Sequence, residues 1–294
     1  MNYSKYVPLI FGSFLGIMLW PSFLISAPPR RLTTDGRYKC DPVFIDKGAA
    51  IVFTVQETPT QLALVRFRLD DRSMERVNPA ATTSEFEATY TPDESQLAFV
   101  QNRGNLNLKM VIRDLRNGKE SIFDPGGGFA SLRRPCFAPD GKRIYFSLPT
   151  SNGNEIVAVD NNGGNRITLA RSGFNKDPAV SPDSKKIAFV SSRDGEYDLY
   201  TMDREGGSLK RILKAPGLEA RPAWSPDGRK IAFTANRAGN YDIFIVNEDG
   251  SGLCQLTHNQ ERDDYAAWHP LGKQLVVVSE KAGRYDLWLY DIAP

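Results

Sequence analysis

Residues 222–233 read Pro-Ala-Trp-Ser-Pro-Asp-Gly-Arg-Lys-Ile-Ala-Phe, and variants of this stretch recur along most of the 294-residue chain. Each copy contains a turn tetrad like Ser225-Pro226-Asp227-Gly228, in which Pro presets φ and Gly tolerates a positive φ. The other five tetrads are Ile45-Asp46-Lys47-Gly48, Thr91-Pro92-Asp93-Glu94, Ala138-Pro139-Asp140-Gly141, Ser181-Pro182-Asp183-Ser184 and His269-Pro270-Leu271-Gly272. Their second positions are 46, 47, 43, 44 and 44 residues apart. Six copies at this period are typical of stacked or radial repeats.

Each copy predicts four short strands. In the fifth copy the first strand ends at Trp224, and the apolar run 231–234 and the alternating segment 241–246 follow as second and third strands. Residues 253–257 form the fourth, and no helical periodicity of ten or more residues interrupts them. We therefore predict an all-β chain folded as a six-bladed β-propeller of four-stranded blades.

The last copy stops at Pro294 after three predicted strands. The segment Arg30-Arg31-Leu32-Thr33 precedes the first copy much as Lys210-Arg211-Ile212-Leu213 precedes the fifth. We predict that residues 30–34 are the outer strand of the sixth blade, which closes the ring and covers an open sheet edge. The predicted domain covers 28–294, with blades at about 37–79, 84–124, 131–170, 174–214, 218–258, and 263–294 plus 30–34.

The first 27 residues have a different composition. One lysine is followed by an uncharged, largely apolar stretch at 6–25, which is typical of a secretory signal peptide. An apolar run of this length also spans a bilayer as an uncleaved anchor, so both readings stay open. Either one predicts a periplasmic or otherwise exported propeller.

Net charge and cysteine usage exclude some classes of protein. A formal charge of +2 with dispersed Lys and Arg does not indicate nucleic-acid binding. Three cysteines, Cys40, Cys136 and Cys254, form no C-x-x-C pair, and an odd number in an exported protein leaves at least one thiol unpaired or in an intermolecular bond. We expect Cys136 and Cys254 to be buried structural thiols.

The repeat resembles those of the TolB-like, WD-type β-propellers of bacterial envelope proteins. The resemblance rests on Pro-Ala-Trp-Ser-Pro-Asp-Gly followed by Arg-x-Gly-x-Tyr-Asp, as in 193–198, and it covers about residues 30–294. Copies four and five match almost throughout, the sixth keeps Trp268, Pro270 and Tyr285-Asp286, and the first three are degenerate. The resemblance implies a propeller whose central channel and funnel-shaped mouth receive segments of partner proteins. The α/β domain that precedes the propeller in TolB is not expected here.

Motifs for catalysis are not found. There is no G-x-S-x-G nucleophile elbow, H-E-x-x-H or P-loop, and Gly250-Ser251-Gly252 falls in a predicted turn. The chain has only His258 and His269, and His269 replaces the Ser of a turn tetrad. We predict a flexible connector at Gly126-Gly127-Gly128, and no enzyme, cofactor or metal. The alternatives are a carbohydrate-active or lyase-type propeller, or a propeller module serving a separate peptidase.

The Tyr-Asp pairs at 197–198, 241–242 and 285–286 repeat at the start of each third strand. Because short polar side chains often accept backbone N–H bonds at turns, we expect these aspartates to bond the neighbouring hairpins.

Candidate binding residues are those that align with Arg221, which precedes Pro222, and they come just ahead of the innermost strands. Unlike the turn positions, this position changes charge from blade to blade, so it suits polar contacts to an extended peptide or another small ligand at the channel mouth. The candidates are Asp41, Glu87, Arg134, Asp177, Arg221 and Tyr265, with Asp264 beside them. Pairing of these charges between adjacent blades is the alternative reading. The acidic segment 261–264 is a candidate cation holder at the same entrance.

We therefore predict an exported, non-catalytic, monomeric scaffold that binds an envelope protein or peptide segment at its central channel. A membrane tether through the N-terminal segment remains an open alternative.

Overall fold

A computed structural model describes residues 25–104, 107–126, 132–214, 217–237 and 239–293. Most of the predicted targeting segment and two of the three glycines at 126–128 lie outside these residues. None of the helices in the described part of the chain has the length and apolar character needed to cross a bilayer.

The chain forms six separate four-stranded antiparallel sheets, the blades, and one short 3-10 helix at Asp46–Gly48. In chain order the strands are β1 Arg30–Arg31; β2 Lys39–Ile45, β3 Ala50–Thr58, β4 Gln61–Arg68 and β5 Met74–Arg76 in blade 1; β6 Glu85–Tyr90, β7 Gln96–Asn102, β8 Leu108–Asp114 and β9 Glu120–Phe123 in blade 2; β10 Arg133–Phe137, β11 Arg143–Thr150, β12 Gly153–Asp160 and β13 Ile167–Ala170 in blade 3; β14 Asn175–Val180, β15 Lys186–Ser191, β16 Asp198–Asp203 and β17 Lys210–Arg211 in blade 4; β18 Glu219–Trp224, β19 Lys230–Ala235, β20 Asp242–Asn247 and β21 Cys254–Gln255 in blade 5; and β22 Asp263–Trp268, β23 Gln274–Lys281 and β24 Arg284–Asp291 in blade 6.

The first strands of successive blades contact one another in order, and β22 of the last blade contacts β2 of the first. This cyclic order confirms the predicted propeller, with the first strands around a central channel.

The hydrophobic core is divided among the blade interfaces. Each of the six clusters of buried apolar residues found in the described part of the chain is shared by two neighbouring blades. A second strand such as β19 is therefore buried on both faces, which is why Ile231–Ala235 is a continuous run of buried residues.

The repeated motif acts locally as a turn and as a link between blades. In blade 5 the Gly228 N–H donates to the Ser225 carbonyl at 2.9 Å, and the Ser225 hydroxyl donates to Asp227 at 2.6 Å. The Trp224 indole N–H donates to the carbonyl of Ala179 in blade 4 at 3.0 Å. The Pro-Asp-Gly tetrads are thus turns, as predicted, and the tryptophan joins adjacent blades.

The ring closes through the N-terminal strand, as the sequence predicts. Strand β1 pairs antiparallel with β24, and the order in blade 6 is β1-β24-β23-β22. The strand itself is limited to Arg30–Arg31, while Leu32 continues the contact through an N–H bond to Leu287 and packs into the core between blades 6 and 1.

The expectation for two of the cysteines is wrong. Cys136 and Cys254 are only partly buried, whereas Cys40 is buried, and all three are free thiols. Cys136 lines the channel, and Cys254 lies on the outermost strand of its blade, so both positions leave one side open.

A candidate ligand-binding channel

All six residues aligned from the sequence occupy the same structural position. Each lies at the point where its first strand shifts register against the second, a β-bulge. Each has a φ between 50° and 57°, a conformation that non-glycine residues rarely adopt. We call this set the bulge ring: Asp41, Glu87, Arg134, Asp177, Arg221 and Tyr265.

The bulge ring lies within the first strands, which corrects the prediction that these residues come just ahead of them. A bulge re-aims a side chain, and here three ring members, Asp41, Glu87 and Arg134, border cavities on both sides of the ring. The ring therefore forms a boundary inside the channel.

The larger cavity, of about 450 Å³, extends from the bulge ring to the Pro-Asp-Gly turns. Its walls are mostly proline and alanine from the repeated motif, such as Pro178, Pro222 and Ala223, with Trp224 among them. We call it the proline-lined cavity.

The smaller cavity, of about 270 Å³, lies on the other side of the ring, where the first strands begin. It is lined by five cationic side chains, four carboxylates and two tyrosines, and we call it the charged cavity. The charged and aromatic members are Arg133, Arg134, Lys176, Arg221, Arg262, Asp41, Glu87, Asp177, Glu219, Tyr241 and Tyr265.

Ion pairs connect the bulge ring, including blades that are not neighbours. Arg134 of blade 3 pairs with Asp41 of blade 1 and lies 3.8 Å from Asp177 of blade 4. Arg221 pairs with Asp264 at 3.0 Å and lies over the ring of Tyr265 at 4.2 Å. All seven candidate residues are thus brought together, and the alternative reading of charge pairing between blades describes much of their bonding.

The ring carboxylates also accept backbone N–H bonds from the next blade. Glu87 accepts from the Arg134 N–H at 2.6 Å, and Asp177 accepts from the Arg221 N–H at 3.1 Å. These bonds satisfy the amides of the strained bulge residues, so the carboxylates also stabilise the bulges.

In five of the six blades the residue two positions before the ring residue is polar and buried against the preceding blade, and in blade 3 it is the apolar Leu132. The polar residue is Lys39 in blade 1, Glu219 in blade 5 and Asp263 in blade 6, all at most 2% exposed. Burial raises the pKa of Glu219 to about 7, against the opposing charge of Arg237.

The acidic side chains of the segment 261–264 bond different partners and do not form a cation site. Glu261 accepts the Ala282 N–H, Asp263 points into the blade interface, where it accepts from Asn259, and Asp264 binds Arg221 and Arg262. Across the residues that the structure describes, no three His, Cys, Asp or Glu side chains are grouped as metal ligands.

The aspartates of the Tyr-Asp pairs are buried and structural, but their main partners differ from the prediction. Asp242 accepts from Thr257 and Gln255, and Asp286 accepts from Arg31 and Thr33. These are side chains on or next to the outer strand, because the start of the third strand faces the outer strand and not only its hairpin. Only Asp286 accepts a backbone N–H among these bonds, from Gly36 at 3.3 Å.

His269 is a turn residue, as its place in the tetrad predicts. Its Nδ1 accepts the Leu271 N–H at 3.1 Å, and its ring packs edge-on against Phe44. Gly250-Ser251-Gly252 lies in the turn between β20 and β21, also as predicted.

Three cationic residues of the charged cavity were missed by sequence reasoning: Arg133, Lys176 and Arg262. The first two directly precede a ring residue, and Arg262 lies three residues before Tyr265. The signal was available, because the alignment that found the ring also places the preceding positions around the channel.

A closed ring of six four-stranded blades around a channel defines the class: this protein is a six-bladed β-propeller. Residues 170–293 match the family model of the TolB beta propeller domain. The C-terminal repeats of this chain are therefore similar to the TolB beta propeller domain.

A TolB homolog from Chlorobaculum tepidum is 29% identical over 127 residues, covering 43% of this chain and 24% of the relative. Among solved structures, TolB from Acinetobacter baumannii aligns with a TM-score of 0.70 at 23% identity, covering 84% of this chain and 65% of that one. A putative TolB from Agrobacterium tumefaciens aligns with a TM-score of 0.71 at 19% identity, covering 90% and 94%. The chain thus spans about a quarter of the curated relative and about two thirds of the first structure.

The same fold also occurs in enzymes. An oligogalacturonate lyase in complex with manganese aligns with a TM-score of 0.62 at 13% identity, covering 93% of this chain and 94% of that one. At this identity the likeness is one of fold, so it carries no activity over to this chain.

Proposed function

We propose that this protein is an exported, non-catalytic scaffold that binds an extended segment of another envelope protein in its central channel. The observation that supports it most is the proline-lined cavity, an apolar space of about 450 Å³ that borders the bulge ring. Binding sites combine such apolar walls with a few placed polar groups that fix the ligand's orientation.

Rigid walls favour binding of an extended chain. The proline rings and the backbone of the first strands have little conformational freedom to lose, so binding orders few protein groups. The bulge ring adds charges of both signs at one end of this cavity, which gives the bound segment a preferred direction.

The TolB-type repeats support both parts of the proposal, since TolB relatives are envelope proteins with the same propeller. Export through the N-terminal segment is tested by fractionating cells that produce the full chain and measuring the mass of the recovered protein. Recovery outside the cytoplasm, either cut near Ala27 or full-length in the membrane, is expected; full-length protein in the cytosol would contradict export.

Channel binding is tested by photo-crosslinking in the envelope. A benzophenone amino acid replaces Ala223, which lines the proline-lined cavity, and as a control Leu253, which is 41% exposed on the outside of the same blade. We expect a discrete crosslinked protein from position 223 that position 253 does not give. The same products from both positions would refute a channel site.

The role of the bulge ring is tested separately with Asp177→Ala and Arg221→Ala in the position-223 background. Both substitutions should lower the unfolding temperature, because they remove bonds within the channel, and lower crosslinking is expected at a temperature where the variants are still fully folded. Lower thermal stability with full crosslinking would remove these residues from the binding site and leave them a structural role.

A further inference from the structure

The charged cavity presents mainly cationic groups to a ligand, although acids and cations line it in similar numbers. Its four carboxylates and five cations are nearly balanced in number, but they differ in exposure. The side chains of Glu87 and Glu219 are 2% exposed, Asp41 is 9% and Asp177 is 13%. The arginines range from 21% for Arg221 to 54% for Arg133.

The carboxylates are occupied by bonds within the protein. Glu87 accepts from the Arg133 Nε at 2.6 Å and from the Arg134 N–H, and Glu219 accepts from the Leu199 N–H at 2.6 Å and from Arg237. A guanidinium has five N–H donors, so Arg133 keeps donors for the cavity although it binds Glu87. The surface that a ligand meets is therefore rich in positively charged donors.

Lys176 is the cation in this cavity with no acid to pair with. Its Nζ lies 3.6 Å from the centre of the Tyr197 ring, and no carboxylate oxygen of the described residues lies within the 4.0 Å of an ion pair. Burial lowers the pKa of Lys176, although Asp177 opposes the shift. An anion in the cavity would stabilise this ammonium group.

We propose that the charged cavity binds the carboxylate of a peptide, with Lys176 as its principal ligand-contacting residue and the exposed arginines beside it. This site lies on the other side of the bulge ring from the proline-lined cavity. It does not depend on the function proposed above.

Size and aromatic contacts favour a peptide end over an oligosaccharide. The volume of about 270 Å³ is slightly below the roughly 300–1,000 Å³ of typical small-molecule sites, so it suits one or two residues. Sugars stack on open aromatic faces, but here Arg262 lies over Tyr241 at 4.5 Å and Arg221 over Tyr265 at 4.2 Å. Leu218 and Ala220 supply apolar contact for a terminal side chain.

The experiment measures binding of three probes to the intact propeller by NMR and calorimetry. They are acetyl-Gly-Ser-Ala-Val with a free carboxylate, the same peptide with a C-terminal amide, and acetyl-Gly-Asp-Ala-amide. We expect the free acid to bind about 10- to 100-fold more tightly than the amide, the factor of one charge-assisted hydrogen bond. Binding of the Asp peptide with similar affinity would support recognition of any peptide carboxylate, and its failure would assign the site to the chain terminus.

Lysine substitutions identify the residue that contacts the peptide carboxylate. Lys176→Met keeps the apolar stem and should lose about 10- to 100-fold in affinity for the free acid, while Lys176→Arg should restore most of it. Lys185→Met is the matched control, since Lys185 lies in the same blade with its side chain 79% exposed. With methyl-labelled lysines, the free acid should also raise the Lys176 pKa, a change that a purely structural lysine would not show.

Equal binding of acid and amide, or unchanged binding by Lys176→Met at an unchanged unfolding temperature, would overturn the proposal. Trigalacturonate and inorganic phosphate are measured as two further probes, and binding of either in place of the peptides would overturn the peptide as occupant. Crosslinking from position 223 in the Lys176→Met variant reports on the first proposal alone, so failure of one does not imply failure of the other.

Discussion

The contacts that close the ring can be tested with two aspartates at equivalent repeat positions. Asp286 faces a buried cation, whereas Asp242 faces a buried acid. Asp286 of blade 6 lies 3.7 Å from Lys39, whose side chain is 0% exposed, and it accepts from Arg31 and Thr33 at 2.5 and 2.8 Å. Asp242 of blade 5 occupies the same repeat position, but the buried group next to it is the acid Asp263.

The substitutions Asp286→Asn and Asp242→Asn keep the side-chain shape and remove one charge each. In Asp286→Asn the buried Lys39 loses one of its two acids and keeps Asp35, so we take the lower end of the cost of breaking a buried pair, about 3 kcal/mol. A chain of this size loses about 2–4 °C per kcal/mol, so the unfolding temperature should fall by about 6–12 °C. Asp242→Asn should change it by less than about 2 °C at pH 5, because no cation loses a partner.

The stability of Asp242→Asn relative to the native protein should increase with pH. Burial, with Asp263 nearby, raises the pKa of Asp242 from 3.8 to about 6. An acid with a raised folded pKa holds its proton more tightly in the folded state, so stability is lost as the pH rises from about 4 through 6. Asp242→Asn should therefore be more stable relative to the native protein at pH 7.5 than at pH 4.

Scanning calorimetry at pH 4, 5 and 7.5 measures all three proteins, with circular dichroism as the control for folding. Equal losses in the two variants would refute the reasoning, since it would mean that the charge of the facing residue has no influence. A fall of less than 2 °C for Asp286→Asn would show that Asp35 alone satisfies Lys39.

Three further outcomes follow from the fold. Deletion of residues 25–34 should cause unfolding or aggregation, measured by light scattering on heating, because it exposes the β24 edge; a fully stable truncation would contradict closure. Gly48→Ala should cost about 3 kcal/mol in urea unfolding, because its Cβ would overlap the His269 ring. Gly104→Ala, with the same φ of +96° and no described residue within 4 Å of the added Cβ, should cost only about 1 kcal/mol. Burial raises the pKa of Cys40 to about 11. A thiol reagent at pH 8 should therefore react with two thiols in the native protein and with Cys40 only after denaturation. Reaction of all three in the native protein would refute the burial of Cys40.

The fold was predictable because its signals are local and repeated. A turn like Ser225-Pro-Asp-Gly228 satisfies its own bonds within a few residues, so its sequence reports its structure directly. The closing strand was also predictable, since a missing strand at one end matched an extra one at the other.

The channel was only partly predictable. Alignment of the repeats located the ring, but the left-handed conformation of residues such as Asp41 and Tyr265 has no signature in an L-amino acid sequence. The pair between Arg134 and Asp41 joins blades 3 and 1, so it depends on the width of the channel and not on the repeat. A fully buried lysine such as Lys39 likewise depends on its partners, of which Asp35 is close in sequence but Asp286 belongs to the last blade.

The closing strand has a consequence for the order of folding. Thr33 and Asp286 are separated by 253 residues, and ordering a loop of that length costs about 5 kcal/mol in chain entropy plus a constant. Blades 1–5 can each form as soon as their four consecutive strands are available, but the sixth needs β1 together with β22–β24. Completion of the ring therefore waits until β24 has been synthesised. Until then β1 and the side of blade 1 that packs against blade 6 lack their partners, which makes this seam the point where the unfinished chain most needs protection from misassembly.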